Sequence, residues 1–181
     1  MRIFPTGTEK IAQEVYRGDP NPIDLNDFNP EYGVKELGKD LGSSAAYGPG
    51  IYFAVNESVA RQYGSNITKK VVTGASILTS KSKLFTYQQI EKMLKSVDKE
   101  TMEIAVSNWD EDYRRGKQLL INSIVNGEDA IDQIMTIWAD VYYHQNPEAY
   151  MRLMTVNGID GIKVNQEDLI YYIIYNRNVL K

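Results

Sequence analysis

Residues 47–64 read YGPGIYFAVNESVARQYG. Gly48, Pro49 and Gly50 make a turn in which the backbone can approach another group closely. Gly50–Ala54 follows as a short apolar strand. Asn56 then has the side chain of a helix N-cap, and Val59, Ala60 and Tyr63 recur at helical spacing. On a strand, alternate side chains face opposite ways. Ile51 and Phe53 therefore share one face and Tyr52 takes the other. The helix is expected to carry Tyr63 back over the strand. Two readings of Tyr52 and Tyr63 stand side by side: plain core aromatics, or a stacking platform for a flat ring.

Around this stretch the chain divides into three. Residues 8–14 read as a short helix capped by Thr8, and Val15-Tyr16-Arg17-Gly18 as the end of a strand. A Pro- and Asn-rich loop runs from residue 19 to about Gly50, a length that usually carries function. Lys69–Thr79 has strand character. From residue 86 to about 157 the pattern is helical. One apolar stripe holds Ile90, Met93, Leu94 and Val97. A second holds Ile131, Ile134, Met135, Trp138, Val141 and Tyr142. Ser107 and Asp110 are start signals for the helix between them, and Asn146-Pro147 opens another. Strands return at 161–164 and 169–175, joined by a polar turn. The second of these, LIYYIIY, is apolar on both faces, as a central strand is. The expected architecture is a single α+β domain over 1–181, a split mixed or antiparallel sheet with a helical insertion at 86–157.

The bulk composition narrows the chemistry. The 181 residues are 43% hydrophobic, enough to bury a core, and carry a formal charge of −4. That charge disfavours nucleic acid as a partner. The run Arg114, Arg115 and Lys117 reads as a solvated helix face. There are no cysteines, which removes disulfides and thiolate chemistry. No stretch approaches the roughly 20 apolar residues of a membrane span. The stretch MRIFPTGTEKIAQ lacks the apolar core of a secretory signal, so a cytoplasmic protein is expected. Asn56-Glu57-Ser58 and Asn66-Ile67-Thr68 are then chance matches to the glycosylation pattern.

Several motifs fail on inspection. GVKELGKD at 33–40 resembles a phosphate-binding loop, but Asp40 stands where a Ser or Thr should meet magnesium. DLNDFNPEYG lacks the late Glu of a calcium loop. His144 is the one histidine, which is too few for a common zinc site. No metal is expected.

The stretch GPGIYFAVNESVARQY resembles the central signature of the ADP-ribosyltransferases of the poly(ADP-ribose) polymerase and diphtheria-toxin branch. That signature is a Gly-x-Gly-Ile-Tyr-Phe-Ala strand and a helix ending in Tyr. The resemblance implies that Tyr52 and Tyr63 sandwich the nicotinamide of NAD, with Gly50 at the turn. Ala60 takes the place of a serine that many relatives direct at the carboxamide. Tyr16-Arg17-Gly18 is similar to the family's aromatic-His-Gly element. It implies Gly18 at the carboxamide and Arg17 at ribose or pyrophosphate; the Tyr-Arg-Gly-Asp order is nearer the cholera-toxin branch, where an arginine serves. An arginine suits a pyrophosphate because its guanidinium hydrogen-bonds two oxygens at once. The C-terminal YYIIYNRNVLK, after GIDGI, resembles the family's last strand, and also transferase domains embedded in phage and bacterial polyproteins. There the catalytic Glu position is Tyr171, a serious departure.

A neutral phenol offers no full negative charge near pH 7, its ordinary pKa being about 10. Glu167 has the strand parity of Tyr171 and is the favoured substitute catalytic acid. Four residues of strand span roughly 13 Å, so it needs a bulge or a turn to reach the site. Tyr171 itself could instead bond the ribose without acting as an acid. Glu31, Glu36 and Asp40 lie on the long loop. The resemblance implies a mono-ADP-ribosyltransferase with NAD as co-substrate. The acceptor stays open between a protein, a nucleic acid and a small molecule, with a protein as the expected one. The alternative is a catalytically inactive NAD- or nucleotide-binding module that works through protein interaction.

Overall fold

The computed structural model describes residues 9–26 and 47–181. The long loop's middle, with Glu31, Glu36, Asp40 and the 33–40 motif, lies outside the described residues, as does Thr8. The strands are β1 (Glu9–Asp19), β2 (Ile51–Ala54), β3 (Asn66–Leu78), β4 (Gly161–Gln166) and β5 (Leu169–Ile174). A one-turn helix, α1 (Glu57–Ala60), follows β2. Between β3 and β4 run α2 (Tyr87–Leu94), α3 (Lys99–Ser107), α4 (Tyr113–Val125), α5 (Ala130–Asp140) and α6 (Pro147–Val156). The fold is α+β with a mixed sheet. No helix among the described residues is long and apolar enough to cross a membrane.

The strands form a ring in the order β1-β2-β5-β4-β3. β1 and β3 make a long antiparallel ladder from Glu9↔Ile77 to Asp19↔Asn66, with a bulge between Ile11 and Ala12. β5 pairs antiparallel with β2 and with β4. β3 and β4 are parallel, through Ile77↔Gly161 and Leu78↔Ile162. The ring closes between β1 and β2 at one pair, Tyr16↔Ala54. The split sheet expected from sequence is therefore joined across a narrow seam. The helix expected over 8–14 is strand from Glu9 onward, because β3 offers a partner to every residue of β1. Pairing across the ladder outweighs a weak local helical preference.

The two faces of the ring bury different cores. Val15, Ile51, Phe53, Val72, Ile77, Tyr172 and Ile174 pack together inside it. On the outer face, Leu78, Ile162, Val164 and Ile173 share one cluster with the helices, including Ile90, Met93, Ile121, Ile134 and Trp138. The helical segment is thus packed against the sheet through a common core. Each such side chain contributes about 1.5–3 kcal/mol when fully buried. The C-terminal half of β5 is buried on both faces, as its sequence predicts; Leu169 and Ile170 at its start are exposed.

Local signals explain most helix starts. Thr86 and Gln89 form a reciprocal capping box at α2. Asp98, Asp129 and Asn146 cap α3, α5 and α6, with Pro147 opening the last. α4 begins later than Ser107 or Asp110 suggests: Asp112 caps it, accepting from the Arg115 amide at 2.8 Å. Arg114 and Arg115 are exposed, as the solvated-face reading requires. His144 is also exposed and lies edge-on to Trp138.

Two polar groups tie the layers together. Gln133 is fully buried; its amide accepts from the Phe85 N–H and donates to the carbonyls of Phe85 and Val125. Asp160, in the GIDGI stretch, accepts from the Ser76 amide at 2.8 Å and from Asn176 Nδ2 at 2.7 Å. Its own carbonyl receives the amides of Tyr175 and Asn176. Asp160 thereby joins β3 to the end of β5. Replacing it by Ala leaves the Ser76 amide without its charged partner. Asp160→Ala is expected to cost about 2–3 kcal/mol, read as a lower urea midpoint; an unchanged midpoint would show that water takes over both bonds.

Candidate functional site

On β1, Tyr16 and Gly18 lie on one face, and Val15, Arg17 and Asp19 on the other. The first face meets α1. Gly18 is there because nothing larger fits: a Cβ at this position would lie 1.9 Å from the Ala60 carbonyl oxygen. Gly64 is equally tight, its Cβ position 2.0 Å from the Asp19 carbonyl carbon. The end of β1 is therefore clamped against residues 60–64. Ala54, Val59 and Ala60 are buried at this junction, with Tyr16, Tyr63, Ile67 and Tyr171 packed around them.

Asn56 caps α1 as its sequence implies, accepting from the Ser58 amide at 3.0 Å. The helix stops at Ala60, however, and Tyr63 sits in the turn beyond it, its amide bonded to the Ala60 carbonyl. Tyr63 still reaches the sheet. Its hydroxyl lies 3.3 Å from the hydroxyl of Tyr171, 108 positions along the chain. Tyr171 is placed by the register of β5, opposite Ala54 on β2. Burial, and then the bond to Tyr63, pushes the Tyr171 phenol up to about 12. It is neutral at physiological pH.

Tyr52 shares a face with Ala54 but packs into the helical core and not onto the α1 cluster. Its hydroxyl donates to the Gly48 carbonyl at 2.5 Å, and burial raises its pKa well above the ordinary value. Gly50, at the start of this strand, has φ 156°, and a Cβ there would meet Ile173 at 2.3 Å. Among the described residues, Tyr171 alone packs against both the helical core and the α1 cluster. It stands between the surroundings of Tyr52 and those of Tyr63.

Arg17 is on the opposite face from these tyrosines. It forms a forked ion pair with Asp19, Nε to Oδ2 at 3.0 Å and Nη2 to Oδ1 at 2.8 Å. The pair is largely enclosed, at 13% and 9% exposure, and Arg17 Nη1 also reaches the Tyr52 carbonyl at 3.5 Å. Arg17 thus spans the β1–β2 seam. Asp19 is the ion-pair partner of Arg17 that sequence reading missed. Its signal was present, because residues two apart on a strand share a face. Glu14, Tyr16 and Lys69 form a second group at the rim. The Tyr16 hydroxyl donates to Glu14, and Lys69 pairs with Glu14 at 2.6 Å. That ion pair with Lys69 holds the Glu14 carboxyl below its usual range.

Glu167 does not join the site. It is exposed in the two-residue turn between β4 and β5, with φ 53°, beyond the pair Gln166↔Leu169. Four residues separate it from Tyr171, about 13 Å of extended chain. Gly18, Tyr52, Ala60, Tyr63 and Tyr171 are thus brought to one face at one end of the ring. Arg17 stands behind that face and Glu167 beyond its edge. Among the described residues, no group of three or more His, Asp and Glu side chains is placed to hold a metal ion.

Two measurements check this geometry. Gly18→Ala drives a methyl group into the Ala60 carbonyl and is expected to destabilise by about 1–3 kcal/mol; chemical denaturation with no loss would show that α1 is free to shift. In an NMR titration, the Tyr171 ring is expected to titrate near pH 12, above the ordinary value near 10. Its neutral form is favoured in the folded state, so its contribution to stability is lost as pH rises from about 10 to about 12. Tyr63→Phe lowers that midpoint; an unmoved midpoint would remove the hydroxyl pair.

No family model, curated protein or solved structure matches this chain.

Proposed function

We propose that the chain is an ADP-ribosyltransferase-type domain whose tyrosine-lined face takes the nicotinamide end of NAD and passes ADP-ribose to a nucleophilic acceptor, with a protein as the acceptor class. One observation carries the reading. Four separate sequence segments, those of Gly18, Tyr52, Ala60 with Tyr63, and Tyr171, converge on one face of the sheet. These are the positions that the resemblance assigns to nicotinamide and its ribose.

In the proposed reaction the nicotinamide–ribose C–N bond breaks and nicotinamide leaves with the bonding electrons. An acceptor nucleophile then bonds to the ribose carbon and loses its proton. The aromatic faces of Tyr52 and Tyr63 suit a flat ring. The Gly18 backbone would hold the carboxamide, and Ala60 would line the slot without a hydroxyl to offer. Gly50 fixes the backbone that presents Tyr52. Arg17, enclosed on the opposite face and paired with Asp19, would act on this face only through the Tyr52 carbonyl it reaches, not by holding pyrophosphate. The Tyr171 hydroxyl would hydrogen-bond a ribose hydroxyl.

A second reading is favoured by one particular feature. Tyr171, pushed up to about 12, brings no negative charge where the resemblance places an acid. An oxocarbenium-like transition state gains most from a fixed opposite charge. The same face would then bind NAD without turnover and act through a protein partner.

Isothermal titration with NAD, followed by chromatography for free nicotinamide, separates the readings. Binding with release supports the transferase, and binding without release supports the module. Tyr52→Ala is expected to abolish NAD binding; retained affinity would overturn the assignment of this face.

A further inference from the structure

We propose that the exposed apolar face at the end of α3 docks a basic, partly apolar segment of a partner protein. The face follows from the helical repeat. Glu100, Ile104 and Asn108 recur at every fourth position and so line one side of α3. Asn108 ends that helix, and its side-chain amide donates to the Ile104 carbonyl at 3.0 Å and to the Tyr143 hydroxyl at 2.7 Å. The second bond brings the segment after α5 against the end of α3. Trp109 follows in the turn, its amide donating to the Val106 carbonyl at 3.0 Å. Ile104, Trp109 and Tyr143 are 52%, 36% and 38% exposed. Scattered apolar residues on a surface need no explanation, whereas adjoining ones mark a contact. Trp and Tyr are also the residues that carry most energy at protein interfaces. Tyr143 has φ 49°, a left-handed backbone that a bulky residue rarely takes. Its exposed ring offers folding little in return.

Charge selects the occupant. From Lys99 to Arg115, five carboxylates stand against three cations. Two of the cations are engaged within the face, Lys99 with Glu103 at 3.5 Å and Arg115 with Asp110 at 3.1 Å. Glu100 and Glu111 are exposed, one helical turn before Ile104 and just beyond Trp109. An incoming Lys or Arg can lay its aliphatic stem along Ile104 and its charge over an aromatic ring, with a carboxylate in reach. A second copy of this chain fits less well, because its formal charge of −4 brings acidity to an acidic face. The inference is independent of the nicotinamide reading, and either can fail alone.

NMR shift mapping on the full chain tests this, using short synthetic peptides in which Leu alternates with Arg, Ser or Glu. The Leu–Arg peptide is expected to shift the amides of Ile104, Asn108, Trp109 and Tyr143, and to bind less tightly as salt rises. The Leu–Ser and Leu–Glu peptides should leave those amides in place. Trp109→Ala is expected to weaken binding by about tenfold or more, and so is the charge reversal Glu100→Lys with Glu111→Lys. These side chains are exposed, so the urea midpoint should hold; Ile104→Ser serves if the tryptophan variant folds poorly. No binding of the Leu–Arg peptide, equal binding of the Leu–Ser peptide, or shifts confined to another face overturns the inference. So do resonances of these residues that move with protein concentration alone, which would assign the face to a second copy.

Discussion

The contact between Gly18 and the Ala60 carbonyl sets the rest of this site. Only a residue without a side chain allows β1 to come so close to α1. That approach fixes the turn holding Tyr63, and Tyr63 in turn fixes Tyr171. Behind the same stretch of β1, the Arg17–Asp19 pair reaches the Tyr52 carbonyl on β2. A single pair of strand residues closes the ring there. The guanidinium therefore reinforces the weakest join in the sheet. The three residues Arg17, Gly18 and Asp19 thus work on both faces at once, holding the seam on one side and α1 on the other.

The helices meet the tyrosine-lined face through Tyr52 and Tyr171. They bury the outer face of β4 and β5 and receive Tyr52 at their margin. The site sits where this large core gives way to the small cluster around Ala60. An aromatic side chain at such a boundary has an apolar wall on one side and a polar rim on the other, which suits a hydroxyl-bearing ring. Tyr171 occupies that boundary, and Tyr52 lies on its large-core side.

Much of this was legible in the sequence. The alternation of Ile51, Tyr52 and Phe53 gave their faces correctly, Asn56 gave the start of α1, and the apolar β5 gave a central strand. The helical period gave the helices from residue 86 onward. The misses have physical causes. The segment from Glu9 looks helical by itself and becomes a strand because β3 runs beside it over its whole length. Asp110 and Asp112 are equivalent as caps in a string; only the folded turn selects the second. Tyr63 lies at helical spacing from Asn56, yet α1 is one turn long, since β1 blocks its continuation at Gly64. The pairing of Tyr63 with Tyr171 and the closing of the ring are long-range, and no local pattern encodes them. Glu167 has the right parity and the wrong reach, as the rise per residue already signals; the register adds that it sits in the turn beyond Gln166↔Leu169.

The ring also imposes an order on folding. Its interior needs Tyr172 and Ile174 beside Val15 and Ile51, residues separated by most of the chain. Contacts of such separation form slowly, because a long loop must close before they contribute. The helices between β3 and β4 draw on nearer neighbours and have no such delay. During synthesis, β1 and β3 can pair as soon as both emerge, while β2 waits with its second edge open until β5 arrives. Over that interval Ile51 and Phe53 are an unpartnered apolar edge, the kind of surface that chaperones bind and that aggregation exploits. The face that later holds the tyrosines is thus the last part of the molecule to exist.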